Sequence, residues 1–318
     1  MLSKPLLYCE PDCRICFWDA FNSYFWEMDI QFPNLIHHAI PFFVAFVLLE
    51  IVLTAWRRIP TYQAKDALSS IAMGLGNVGV GFISKALIFG AYTLVYQFRI
   101  FTLDFSWWMW ILLFLGDDLS YYWFHRISHN VRYFWASHIV HHSSQNYNLA
   151  TALRQTWTGG LTGSFIFYLW LPFLGFHPLA ILFMHSISLL YQFWIHTELI
   201  DRMPRWFEYI FNTPSHHRVH HSSDTKYLDR NHAGILIIWD RMFGTFIEEE
   251  EHPHYGLTKN IHSFNPLYIA THEWIAIFQD IRKHPKYFWS YLFGPPGWSH
   301  DGSRKTSAQL RAEMQDSE

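Results

Sequence analysis

The sequence predicts an all-α, multi-pass membrane protein. About four to five transmembrane or re-entrant helices are expected, with a cytoplasmic helical cap holding a histidine-rich site for two metal ions. Three observations lead there. Hydrophobic residues make up 51% of the 318 and charged residues only 15%, against about 25% charged in an ordinary soluble domain. The apolar residues fall in runs near the ~20 residues that cross a hydrocarbon core. Histidines number 21, close to the 23 Lys plus Arg, and many crowd into three short stretches. An unpaired imidazole in hydrocarbon loses its hydrogen bonds to water, so so apolar a chain does not accumulate histidine unused. Sixteen Trp, 17 Tyr and 29 Phe suit extensive bilayer interfaces, where amphipathic rings anchor span ends. A net charge of −3 gives no reason to expect a nucleic-acid partner.

Residues 1–36 read as an extramembrane segment in which acids (Glu10, Asp12, Asp19, Glu27, Asp29) outnumber bases. No basic region followed by a small-residue cleavage site is present, so no removable signal peptide is expected. Cys9, Cys13 and Cys16 reproduce the C-x3-C-x2-C spacing of radical-SAM iron–sulfur sites. That chemistry needs a soluble α/β barrel, whereas a membrane span follows, so they read as incidental or loosely structural.

Residues 37–104 carry the N-terminal membrane helices. The first runs from about Ile40 to Trp56, apolar except for Glu50, and stops at Arg57 and Arg58. The second, about Ala67 to Phe98, contains Lys85 and a patch of Gly74, Gly76, Gly79 and Gly81. Small residues there admit a close neighbour, and its excess length predicts tilt, a kink or a protruding end. Residues 105–260 carry the histidine groups. Their first helix, from about Phe105 to Leu115, continues through Asp117 and Tyr121 into the first group. Segments Leu161–Leu174 and Leu179–Ile195 read as a helical hairpin turned by Gly175-Phe176-His177-Pro178. Residues 261–318 form a C-terminal cytoplasmic segment, with a charged tail from Asp301 expected to be disordered. Placing Arg57, Arg58 and Lys65 in the cytoplasm brings every histidine group to that one face.

His125 and His129 are four apart, so on a helix they share a face one turn apart. His138 and His141 are three apart and also share a face, while His142 points elsewhere, toward a second metal. The H-x2-H-H spacing recurs at His217, His220 and His221. Eight imidazoles exceed what one ion takes, so two metals are the natural count. His196, where the last apolar helix meets water, is the ninth candidate. His185, three turns earlier, is the weaker one, and His216 is ambiguous. His37, His38, His177, His232 and the histidines after 250 read as ordinary packed residues. Imidazole suits Zn, Cu, Fe and Ni, and the zinc-protease word H-E-x-x-H is absent. Each ligating ring needs an acceptor for its second nitrogen. Asp117, Asp118, Asp224, Asp229 and Asp240 are candidates. Trp123, Phe124, Phe134, Trp135 and Trp157 are candidates for an apolar groove.

The stretches HRISH, HIVHH and HHRVHH resemble the three histidine boxes of the fatty acid hydroxylase (sterol desaturase) superfamily of membrane non-haem di-iron enzymes. YYWFHR, HHSSQNYNLATALRQ, QFWIHTE and GILIIWDRMFGTF extend the likeness over roughly Phe105 to Thr258. NLATALRQ and IIWDRMFGTF look most like the alkylglycerol monooxygenase branch. The resemblance implies two iron ions held by His125, His129, His138, His141, His142, His196, His217, His220 and His221, with zinc able to substitute in preparations. It implies O2 as co-substrate, a membrane lipid C–H bond as target, and electrons from tetrahydropterin or an external donor protein. The chain is expected in a bacterial inner membrane or the endoplasmic reticulum. Hydroxylation or desaturation of a sterol, carotenoid or fatty acyl chain is the nearest rival. A metal transporter would put its ligands near mid-bilayer along a path, whereas these lie at span ends. A bis-histidine haem protein is the remaining alternative.

Overall fold

The computed structural model describes residues 32–316, so Cys9, Cys13 and Cys16 lie outside the described residues. Thirteen α-helices form among them. The extended pairing among them is two isolated antiparallel bridges, Phe211 with Leu236 and Ser222 with Tyr255.

α1 (Leu35–Arg57) buries one stripe, Val47, Glu50 and Thr54. Its other faces show Phe42, Val44, Phe46 and Val52 to the exterior. An apolar helix with an apolar outer surface belongs in lipid rather than water. α2 (Ala64–Tyr96) is one unbroken helix of 33 residues, about 50 Å at 1.5 Å per residue. Its excess length is therefore not relieved by a break in the helix. Both are long and apolar enough to cross a membrane. The glycine patch works in part as expected. A Cβ at Gly74 would lie 2.8 Å from the Leu153 carbonyl oxygen, and one at Gly76 would overlap the Trp157 indole, whereas Gly79 and Gly81 face open space.

α3 (Trp107–Asn130) carries the apolar run directly into the first histidines. Val131 is extended and breaks the helix, and α4 (Arg132–His142) folds back against α3. After α5 (Leu149–Ala152), capped by the Asn148 side chain, the expected hairpin is regular in one arm only. Residues 161–174 divide into turns, a 3-10 segment at Ser164–Tyr168 and the short α6 (Trp170–Leu174). Gly159, Gly160 and Gly163 disfavour a continuous helix there, and Gly163 takes φ +83. The turn at Gly175 (φ +114) leads to a regular α7 (Pro178–Trp194) with proline in its first turn.

α8 (Arg205–Ile210), α9 (Pro214–His220) and α10 (Ile238–Met242) follow. α11 (Pro266–Lys283) packs on α4, where Arg132 donates to Glu273 at 2.6 Å and Asp280 at 2.7 Å. α12 (Phe288–Phe293) and α13 (Ser307–Gln315) complete the fold. α13 corrects the expectation of a disordered tail. Thr306 and Gln309 form a capping box, and Arg311 binds the Leu228 carbonyl and the Asp229 carboxylate. A tail rich in charge orders here because specific acceptors await it.

Candidate metal centre

Nine imidazoles converge in two groups. His125, His129, His138, His142 and His220 form one; His141, His196, His217 and His221 form the other, with ligand atoms within 4.8 Å of one another. Helical phase sorts them. Positions four apart differ by about 40° and stay together, whereas a step of three turns about 60° the other way. His138 therefore shares a group with His142, and His141 turns to the second. This differs from the grouping expected from H-x2-H-H, which put His138 with His141. At α9 the same phase sends His217 and His221 to one group and His220 to the other. His196 joins from the end of α7.

The ring nitrogens face one another closely. Nε2–Nε2 separations are 2.9 Å for His125–His138, 3.1 Å for His138–His142, 3.2 Å for His141–His196, 3.0 Å for His196–His217 and 3.2 Å for His217–His221. The other nitrogens explain which atoms these are. Nδ1 of His125 lies 2.7 Å from the His232 carbonyl oxygen, that of His196 2.7 Å from Gln192, that of His220 2.9 Å from Arg230 and that of His141 3.3 Å from Arg154. A nitrogen beside a carbonyl must carry the proton, which leaves Nε2 of a neutral ring as a lone pair. His141 and His196 thus point two lone pairs at each other. That contact is repulsive unless a cation lies between them. Nε2 of His129 and His220 are buried with no partner. The donor set fits bound transition metal, with four of the nine rings oriented from behind by a carbonyl.

Burial holds the rings of His138, His142, His217, His220 and His221 well below the usual imidazole pKa, and neighbouring imidazoles push the same way. His141 is held down to about 4, by burial first, against the raising effect of the Arg154 carbonyl. Neutral rings are the metal-binding form.

The acceptors behind the rings are mostly backbone carbonyls rather than the expected aspartates. Asp229 comes nearest to that role, 3.5 Å from His129 Nδ1. Burial raises its pKa, but the His129 hydrogen bond and nearby His232 and Arg311 outweigh that, leaving it at about 2. Asp118 instead accepts from Ile235 N, Leu236 N and Trp239 Nε1, tying that segment to α3. Asp240 accepts from His232 N and Ala233 N, and Asp224 from Ser222 and His254. Asp117 lies 3.7 Å from His185 Nδ1; both stand outside the two groups, as does His216. His232 is more than a packed residue, since its carbonyl orients His125 and its ring lies 5.1 Å from that of His129.

Of the aromatic residues expected to line a groove, Trp135 meets the imidazoles, 5.1 Å from the His129 ring. Trp123 packs on Phe243, and Phe124 and Phe134 pack on Phe167. Trp157 donates to the Met73 carbonyl. Three buried supports were not singled out as such from sequence. Glu50 accepts from Leu149 N at 2.7 Å and from the Thr197 hydroxyl, beside His196. Arg154, 1% exposed, binds Asp66 at 2.6 Å. Tyr147 stacks 5.7 Å from the His196 ring. The signals were faint: an acid in an apolar span, and an arginine in a hydrophobic stretch. Arg218 donates twice to Glu249 and so fixes α9 between His217 and His220.

Residues 110–245 match the family model for fatty acid hydroxylase, a span containing all nine imidazoles. The chain carries a fatty acid hydroxylase domain. It is 42% identical over 275 residues to a human protein named alkylglycerol monooxygenase, covering 84% of this chain and 61% of that one. It is 40% identical over 272 residues to the protein of that name from Xenopus tropicalis, covering 84% and 60%. With the Caenorhabditis elegans protein of that name it shares 37% over 255 residues, covering 74% and 49%. The chain thus spans about half to three-fifths of the length of these curated relatives. No solved structure matches it.

Proposed function

We propose that the nine imidazoles hold two iron ions and that this chain is an O2-dependent lipid monooxygenase. The target is the ether-bearing carbon of an alkylglycerol. One observation carries the metal reading: the Nε2 lone pairs of the neutral His141 and His196 rings face each other at 3.2 Å, both rings held from behind by a carbonyl. The names of the relatives support the alkylglycerol reading, and so do the family words around the histidines. Zinc can occupy the same imidazoles in a preparation without being the working metal.

Bound iron supplies the oxidising power that an unactivated C–H bond requires, with electrons from tetrahydropterin or an external donor. The chain does the rest. The carbonyls of His232, Gln192, Arg230 and Arg154 keep the protons on Nδ1 and leave Nε2 free for metal. Glu50 and Arg154 hold the 149–154 segment and the end of α7 against the second group. Trp135 and Tyr147 shield the two groups on their flanks and limit water. In this reading residues 37–104 are membrane helices, residues 105–260 the catalytic unit and residues 261–318 a C-terminal cover. The chain is multi-pass, with the histidine groups at the cytoplasmic face.

Incubating membranes that hold the active chain with an alkylglycerol, a sterol and a fatty acid, under O2 with reductant, tests the reading. A fatty aldehyde from the alkylglycerol is the expected product. No aldehyde, with a hydroxylated or unsaturated sterol or acyl chain instead, would overturn the substrate assignment while leaving the metal reading intact.

A further inference from the structure

His216 belongs to neither imidazole group, although His217 beside it does. It is 3% exposed, and its Nδ1 is buried with no partner. It forms part of the wall of a separate cavity of about 440 Å³. Three guanidiniums, Arg202, Arg205 and Arg241, share that cavity with Glu208 and Glu248. A further carboxylate, Glu249, is already engaged by Arg218 through two hydrogen bonds. Glu208 spends one oxygen on Met203 N, Thr213 and Ser215. Arg241 lies over the Phe246 ring, 3.7 Å from its centroid, and its Nε has no partner. Three cations against two carboxylates leave one positive charge over, beside an imidazole nitrogen with nothing to bind.

The surroundings say where this charge sits. Trp206, Tyr209 and Ile210 on α8 are exposed, as are Met242 and Phe243 just after Arg241. Phe243 packs 5.0 Å from Trp123 on α3, eight residues beyond the apolar run that ends at Leu115. The Tyr191 hydroxyl, near the end of α7, donates to the Asn212 carbonyl at 2.6 Å. The patch therefore lies where α3 and α7 leave the apolar layer. Exposed aromatic and aliphatic side chains beside arginines are the pattern of a surface seated in a bilayer interface.

The geometry points to a binding site for the phosphate of an anionic phospholipid headgroup. Arginine is the side chain best matched to phosphate oxygens, and the surplus charge matches a phosphodiester monoanion. The lipid's glycerol and chains lie over Trp206, Tyr209 and Met242. Its role is to seat α8 and α10 in the membrane surface and so brace α9, which carries His217 and His220. The inference rests on the membrane placement proposed above but not on the reaction, so its test reads lipid retention and would stand if no aldehyde were formed.

The full chain in a neutral detergent is titrated, with native mass spectrometry as readout, with phosphatidylglycerol, with a diacylglycerol of the same chains, and with inorganic phosphate. Phosphatidylglycerol is expected to be retained tightly, diacylglycerol weakly, and inorganic phosphate is not expected to displace the lipid at equal concentration. Arg205→Gln combined with Arg241→Gln should weaken phosphatidylglycerol roughly thirtyfold, from about 1 kcal/mol per arginine near a lipid phosphate, with bound metal unchanged. Glu248→Gln, at an exposed position, should tighten it about fivefold. Equal retention of the two lipids would overturn the proposal. So would displacement by inorganic phosphate at equal concentration, or an unchanged affinity in Glu248→Gln, which decides the matter even if the double variant does not fold.

Discussion

The two imidazole groups reach similar geometry by different routes. The five-histidine group is mostly local: four of its members come from α3 and α4, adjacent in sequence, each pair four residues apart, and His220 arrives from α9. The four-histidine group takes His141 from α4, His196 from beyond α7, and His217 and His221 from α9 and its cap. Local helical phase can build the first. The second needs long-range supports, and the structure supplies them as buried polar groups. Arg154 with Asp66 sits behind His141, Glu50 with Thr197 beside His196, and Arg218 with Glu249 beside His217. A site drawn from scattered elements is only as well positioned as the struts between them.

The comparison can be broken or sharpened by mutation. The largest effects belong to the ligands. His138→Ala and His196→Ala should each lower turnover by about a thousandfold or more. Elemental analysis should show each variant holding about one metal per chain rather than two. A variant that keeps both metals and full turnover would remove that histidine from the centre.

Arg154→Leu comes next. It leaves the buried Asp66 carboxylate unpaired, at a cost of about 3–5 kcal/mol, read as a lower chemical-denaturation midpoint. Because the Arg154 carbonyl also orients His141, metal should leave the four-histidine group first. Simultaneous loss from both groups would show that they do not rest on separate supports.

pH acts through the same burial. In metal-free protein the folded His141 pKa is about 4, below the ~6.5 of an unfolded chain. Above ~6.5 both states are neutral and the group contributes no pH dependence. As pH falls below that, the unfolded chain takes up a proton that the folded one refuses. Stability is therefore lost between ~6.5 and about 4, on the order of 3 kcal/mol from this ring alone. Thermal midpoints of chelated protein across this window check it, and a flat profile would contradict it.

The smallest effect falls on the five-histidine group. Arg311→Ala removes a partner of Asp229, which stands behind His129. A loss of about tenfold in metal affinity at one of the two ions is expected, measured by competition with a chelator.

Much of the centre was legible in the sequence because helical spacing is itself geometry. His125 with His129 is placed by a four-residue step alone, and His196 by the end of an apolar run. Two neighbours in the sequence still fell on opposite sides of the expected division, since His138 and His141 are three apart, the step that turns away. The acceptors behind the rings were illegible for a different reason. Every residue has a carbonyl, so nothing in the letters marks Gln192 or Arg230 as the one a ring will face. The irregular arm at residues 161–174 was hidden by its composition, which is as apolar as a helix but interrupted by glycines. α13 was misread because charge suggested disorder, while its partner at Asp229 lies over eighty residues away.

The central claim, that these nine imidazoles hold two metal ions, is tested most directly by X-ray absorption on the purified chain together with its metal content. The account predicts about two metals per chain, each surrounded by nitrogen and oxygen at imidazole distances, with His138→Ala and His196→Ala each removing about one. Fewer than one metal per chain after iron loading, or a first shell containing sulfur, would contradict it.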